Sequence, residues 1–130
     1  MEDRGSKRMA LLLADDLLFA SRITGEAHAS KVALKVAGSS DLLKTLAEVE
    51  KPSLLIIDLS NPGLVIEELL AWVNTLAADE RPRIVAYGSH VDTATLKAAR
   101  AAGCDEVMPR SQFIERLPSQ LNEWVGARKI

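Results

Sequence analysis

Cysteine is almost absent from this chain of 130 residues. Cys104 is its one thiol, so neither an intramolecular disulfide framework nor a Cys-rich zinc site can be built, as expected of a protein kept in a reducing compartment. The expected role of Cys104 is that of a small, buried apolar group. A long apolar run is missing as well. The stretch from Met9 to Ala14 follows Lys7 and Arg8 as the core of a signal peptide would, but it is short and meets Asp15 and Asp16. No other segment approaches the length needed to span a bilayer, so a cytoplasmic location without membrane contact is expected. Charge of one sign is not in excess either. Sixteen Lys and Arg stand against eighteen Asp and Glu, scattered rather than blocked, a pattern that does not track a phosphate backbone and excludes nucleic acid from the expected partners. Linkers and low-complexity segments are lacking too. With 48% hydrophobic residues for a core, one domain over residues 1–130 is expected, residues 1 to about 7 being a flexible N-terminus.

What is present is an alternation. Apolar runs of strand length are each followed by a stretch of helical periodicity, five pairs in all. That pattern builds an α/β domain in which a parallel sheet is covered by helices on both faces. Strands are expected at about 8–14, 31–37, 54–58, 83–87 and 106–108. The third is the most apolar and therefore central, whereas Lys31 and Lys35, on one face with Ala33, place the second nearer an edge. The first helix is expected from Leu17 to Ala29, with Leu17, Leu18, Ile23 and Ala27 inward and Gly25 weakening it. Ser39 or Ser40 caps a second helix carrying Leu42, Leu43, Leu46 and Val49. A third follows Gly63 with Leu64, Ile66, Leu69, Leu70, Val73 and Leu76, and Trp72 beside that stripe reads as packing. A fourth starts at Asp92 or Thr93 and stops at Gly103. The last is expected to start near Pro118, because proline suits a first turn and breaks an interior, which leaves Gln112 to Leu117 as a partial turn.

Binding sites of open parallel sheets form beyond the carboxyl ends of the strands. Asp15 and Asp16 follow the first strand, Asp58 ends the third, Tyr87 to Ser89 follow the fourth and Arg110 follows the fifth. With the first and third strands adjacent, these groups share one rim. Three carboxylates in a small volume either raise a pKa or recruit a cation, and Mg²⁺, which takes oxygen ligands and keeps waters and phosphate oxygens, suits them. Asp58, ionised at neutral pH, could attack a phosphoryl group without a separate base, while the metal and Arg110 neutralise charge on the group in transfer. Singly, each residue has a plainer role. Asp15 or Asp16 would cap a helix, Asn61 to Gly63 would form a turn and Arg110 would be a solvated charge; only the combination on one rim points to chemistry.

Three stretches, "LLLADD", "LLIIDLSNPG" and "AARAAGCDEVMPRS", resemble the receiver domains of two-component response regulators, and the resemblance covers nearly the whole chain. It implies a doubly wound, flavodoxin-like fold with five parallel strands in the order 2-1-3-4-5. It also implies Asp58 as phosphoacceptor, and Asp15, Asp16 and Asp58 holding Mg²⁺ with a backbone carbonyl near Ser60. The sequence departs from the family at several positions. Arg110 replaces the family's lysine and has a different hydrogen-bonding geometry. Ser111 stands where the family has proline, with Pro109 before the basic residue, and Val107 stands where the family has its switch aromatic. The switch hydroxyl falls at Tyr87 or Gly88, with Ser89 as an alternative source. By the resemblance, the partners are a sensor histidine kinase or phosphotransfer protein and a downstream protein that meets the surface at about 92–126. Self-association would use the same surface.

The function implied is a phosphorylation-biased protein-interaction switch rather than an enzyme, its chemistry limited to self-phosphorylation from a phosphodonor and autodephosphorylation. Two alternatives stay open. One is a receiver-like interaction module that works without phosphate, which the altered switch positions favour. The other, more distant, is a small Mg²⁺-dependent phosphate-ester hydrolase. For that the chain lacks a second Asp two residues after Asp58, a glycine-rich phosphate loop and a general base in a recognisable motif, His28 and His90 lying in none.

Overall fold

Two apolar segments, Met9–Leu13 and Leu54–Asp58, are buried at every residue, which a strand achieves only where both faces of its sheet are covered. They are β1 and β3 of a five-stranded parallel sheet with β2 (Ala33–Ala37), β4 (Arg83–Gly88) and β5 (Glu106–Pro109). The strand order is β2-β1-β3-β4-β5, and every ladder is parallel. The connecting helices are α1 (Leu17–Ala29), α2 (Ser40–Glu50), α3 (Ile66–Val73), α4 (Thr93–Ala102) and α5 (Arg110–Gly126), with a short 3₁₀ turn at Ala78–Glu80 before β4. The computed structural model describes residues 8–126; the expected flexible N-terminus lies outside them. The architecture is the doubly wound, flavodoxin-like one, in the order 2-1-3-4-5.

Alternate residues of the central strands feed two core layers, because side chains of a strand point to opposite faces in turn. On one face Leu11, Leu13, Leu55 and Ile57 meet Leu43, Leu69, Val73, Leu96 and Ala99 from α2, α3 and α4. On the other, Leu12, Leu54, Ile56 and Val85 meet Ile23 and Ala27 of α1 and Phe113, Leu117 and Leu121 of α5. Caps close several helices as expected: Ser39 Oγ accepts from Leu42 N at 3.2 Å, Asp92 Oδ1 from Thr95 N at 3.1 Å, and Gly103 ends α4 at φ +110°.

The helix phases correct the sequence reading at several places. Leu17 and Leu18 are not inward; they are 78% and 86% exposed. Ala20, Ile23 and Ala27 form the buried stripe, Leu18 lies on the far side of the helix from them, and Leu17 stands in the first turn at the rim. In α2 the buried residues are Leu43 and Ala47, whereas Leu42 and Val49 are exposed. β2 is an edge strand, as expected, but Lys31 precedes it in a turn at φ 59°, and Lys35 pairs directly with Glu50 of α2 at 2.6 Å.

The largest correction is α5, which starts at Arg110 and carries Pro118 inside. Phe113, Leu117, Leu121 and Trp124 recur at intervals of four, four and three and are all buried, so tertiary burial of one face outweighs the local cost of proline. Pro118 sits on the solvent side, where water can serve the carbonyl that its missing N–H leaves unpaired. Pro118→Ala is therefore expected to stabilise the fold by roughly 1–3 kcal/mol, seen as a higher urea midpoint at unchanged slope.

Candidate functional site

The sheet order brings the ends of β1, β3 and β4 together. Leu13 of β1 is level with Ile57 of β3, and Asp58 with Tyr87 of β4, so Asp15 and Asp16 lie just past the strand beside Asp58. Asp58 is 2% exposed. Its Oδ1 accepts from Ser60 N at 2.9 Å and Ser60 Oγ at 2.7 Å, a turn closed by the aspartate's own side chain. Asn61 N donates to Asp58 O at 3.0 Å, the buried Asn61 side chain donates to Gly38 O at 3.1 Å, and Gly63 turns the chain at φ +81°. The segment Asn61 to Gly63 is thus a turn, and Ser60, just before it, fixes one oxygen of Asp58.

The other oxygen, Oδ2, faces Arg110 Nη2 at 3.9 Å. Arg110 comes straight after β5, and its guanidinium lies 4.9 Å above the Phe19 ring and 5.9 Å from that of Tyr87. Two aromatic faces therefore seat the cation beside the carboxylate, and it is no isolated surface charge. Phe19, which sits three residues after Asp16, was missed by sequence reasoning because no motif marks an aromatic there.

Tyr87 is fully buried. Its ring stacks on Phe113 at 4.7 Å and tilts against Phe19 at 5.1 Å, and Phe113 stacks in turn on Trp124 at 5.7 Å. Among the described residues its Oη makes no well-formed hydrogen bond, although the Asp58 carboxylate lies close by. Burial, and secondly the negative charge of Asp58, hold its pKa far above the ordinary phenol range, so it stays a neutral phenol.

Solved structures share this architecture. A response-regulator signal receiver domain from Bermanella marisrubri superposes with a TM-score of 0.79 at 19% identity, over 92% of this chain and 98% of that one. A putative response regulator from Chloroflexus aurantiacus J-10-fl gives 0.79 at 17%, again over 92% and 98%. The fold is that of a response-regulator receiver domain. The receiver domain of a sensor histidine kinase from Pseudomonas aeruginosa PAO1, described with a magnesium ion coordinated in its active site cleft, gives 0.78 at 15% over 92% and 98%. No family model and no curated protein matches the sequence.

Within this receiver fold the remaining rim positions separate. Tyr87 lies on the Asp58 side of the sheet, whereas Gly88 faces the opposite layer, where a Cβ would come within 3.3 Å of Leu96 Cδ2 and 3.4 Å of Leu59 Cβ. Ser89 is exposed, and its Oγ accepts from Val91 N at 3.3 Å rather than meeting Asp58. Val107 packs, half-buried, toward α4. Cys104 is half-buried against the same layer, its thiol pKa pushed up to about 12 by burial and then by Asp105, which suits an inert packing group.

Asp15 and Asp16 are exposed, and Asp16 Oδ1 caps α1 by accepting from Phe19 N at 3.1 Å. Among the described residues no three His, Cys, Asp or Glu side chains are gathered tightly enough to hold a metal ion. The donor chemistry nevertheless fits Mg²⁺, a hard cation that keeps several waters and binds through one or two carboxylates: the Asp15, Asp16 and Asp58 side chains all offer carboxylate oxygen. No helix among the described residues is long and apolar enough to cross a membrane.

Proposed function

We propose that this chain is a two-component signalling receiver in which Asp58 accepts a phosphoryl group and a protein surface then carries the signal. One observation supports it above the rest. Asp58 is a nearly buried carboxylate at a strand end, with one oxygen fixed by Ser60 and the other turned to Arg110. The free oxygen would attack phosphorus, the bond from phosphorus to the donor would break, and the product would be an acyl phosphate on Asp58. Water attack on that phosphorus would restore the carboxylate. Chemistry of this kind rests on positioning and charge neutralisation, which Arg110 supplies from its aromatic seat. Asp15, Asp16, Asp58 and the Ser60 backbone carbonyl would hold Mg²⁺, which, when bound, would neutralise phosphoryl oxygens. The donor would be a sensor histidine kinase or a phosphotransfer protein. A downstream protein, or a second copy of the chain, would meet the face of α4, β5 and α5.

Titration with Mg²⁺ and then beryllofluoride, a phosphoryl mimic, tests this reading through backbone amide shifts. Saturable shifts at residues 15, 16 and 58–60 that spread beyond Asp92 and vanish in Asp58→Ala are expected; no response to either ligand would end it. Asp16→Asn separates metal binding from structure. Asn keeps the capping acceptor but removes a charge, so Mg²⁺ affinity is expected to fall about tenfold at an unchanged melting temperature.

A second reading, an interaction module independent of phosphate, is favoured by Tyr87. Its ring already fills the space between Phe19 and Phe113, so the residue beside Asp58 is packed in place without a phosphoryl group. On this reading partner binding would be the same for Asp58→Ala and the wild type.

A further inference from the structure

A cavity of about 510 Å³ opens where α1, the loop after β4 and the start of α5 meet. Its size falls within the range of about 300–1,000 Å³ typical of small-ligand sites. Its walls divide by chemistry. Phe19 and Ile114 are apolar, Ser89 and Ser111 bring hydroxyls, and Arg22 and Arg110 bring two guanidinium groups. No carboxylate lines it. Arg22, exposed on α1, has no hydrogen-bond or ion-pair partner among the described residues. Arg110 is only partly engaged: its 3.9 Å approach to Asp58 is longer than a hydrogen bond, and its buried Nε has no acceptor.

We infer that this cavity binds a small organic anion, a phosphate or carboxylate head on a compact apolar body, with Arg22 and Arg110 clamping the head and Phe19 and Ile114 holding the body. Guanidinium groups pair with carboxylate and phosphate oxygens through two parallel N–H bonds. A site with two such donors, hydroxyls beside them and no acid among its lining residues selects for negative charge, the one nearby carboxylate, Asp58, standing 3.9 Å from Arg110, and its apolar walls favour a ring or short aliphatic chain over a bare ion. The first turn of α5 adds the positive end of a helix at the same place. This goes beyond the phosphoacceptor reading: Arg110 is shared with that site, but Arg22, Phe19 and Ile114 would hold the anion without the Asp58 carboxylate.

Phenyl phosphate, inorganic phosphate and benzyl alcohol serve as probes, with amide shifts of residues 19, 22, 89–91, 111 and 114 as the readout. Wild type, Asp58→Asn and Arg22→Gln are compared. Phenyl phosphate is expected to shift these amides saturably in both wild type and Asp58→Asn, more tightly than inorganic phosphate, while benzyl alcohol leaves them in place. Arg22→Gln, an exposed change with the fold checked by its unfolding midpoint, is expected to weaken phenyl phosphate about tenfold, as the loss of one charge-assisted contact would. Equal affinity in Arg22→Gln, equal binding of benzyl alcohol, or shifts confined to residues 15, 16 and 58–60 that disappear in Asp58→Asn would each overturn the inference. Because the decisive binding is read in a chain without the Asp58 carboxylate, its failure is distinct from failure of the phosphoacceptor reading.

Discussion

Phe113→Ala is expected to destabilise the protein by about 3–5 kcal/mol, a large part of the roughly 5–15 kcal/mol that holds a typical domain together. The ring is fully buried and lies between Tyr87 at 4.7 Å and Trp124 at 5.7 Å. Its removal would leave a hole under β4 and also break two ring contacts, each worth about 0.5–1.5 kcal/mol beyond burial. The damage would reach the rim, since Phe113 stands one turn after Arg110 and anchors the helix that presents it. Tyr87→Phe provides the contrast. It keeps the ring and removes a buried hydroxyl that makes no well-formed hydrogen bond among the described residues, so it is expected to be neutral or to stabilise by up to about 1 kcal/mol. Urea midpoints check both. A cost below about 1 kcal/mol for Phe113→Ala would mean that the aromatic row does not hold α5 to the sheet, and a clear loss in Tyr87→Phe would mean that the hydroxyl is bonded.

The sheet was legible because its central strands are unbroken apolar runs and because each ends where the chemistry changes, as at Asp58. The bounds of α1 followed from periodicity, and the capping rule narrowed the start of α2 to Ser39 or Ser40, of which Ser39 is the cap. Helix phase was less legible. Leu17 and Leu18 are as apolar as Ile23, and nothing local tells that the first turn of α1 stands at the rim with no layer above it. The start of α5 was misplaced because a strong local rule about proline competed with a spacing of Phe113, Leu117, Leu121 and Trp124 that pays off only when the sheet is already there to receive it. At the site, the acidic residues and Arg110 were legible from strand-end positions. Phe19, Tyr87, Phe113 and Trp124 could not be joined into one row, because they come from three elements that only the strand order makes neighbours. The same order settles which of Tyr87 and Gly88 lies beside Asp58.

Asp58→Asn is expected to abolish labelling from a small acyl phosphate donor while leaving the fold intact. The asparagine oxygen can still accept from Ser60 N and Oγ, so the turn that fixes Oδ1 survives. What is lost is the second oxygen, the one that faces Arg110 at 3.9 Å, and a neutral amide nitrogen in its place does not attack phosphorus. Arg110→Ala would keep the nucleophile and remove the cation, with an expected slowing of about 10²-fold, the scale for one group aimed at charge that develops in a transition state. Arg110→Lys should fall between the two, since lysine keeps the charge but gives up the planar stack on Phe19 and the bidentate fork. The ranking matters more than any one value. Wild type over Arg110→Lys over Arg110→Ala, with Asp58→Asn silent, would assign the nucleophile and its electrostatic partner separately. Undiminished labelling of Asp58→Asn would move the phosphoryl group to another residue and leave Asp58 a structural carboxylate. A wild-type chain that takes no label at all would leave the phosphate-independent module as the reading that stands.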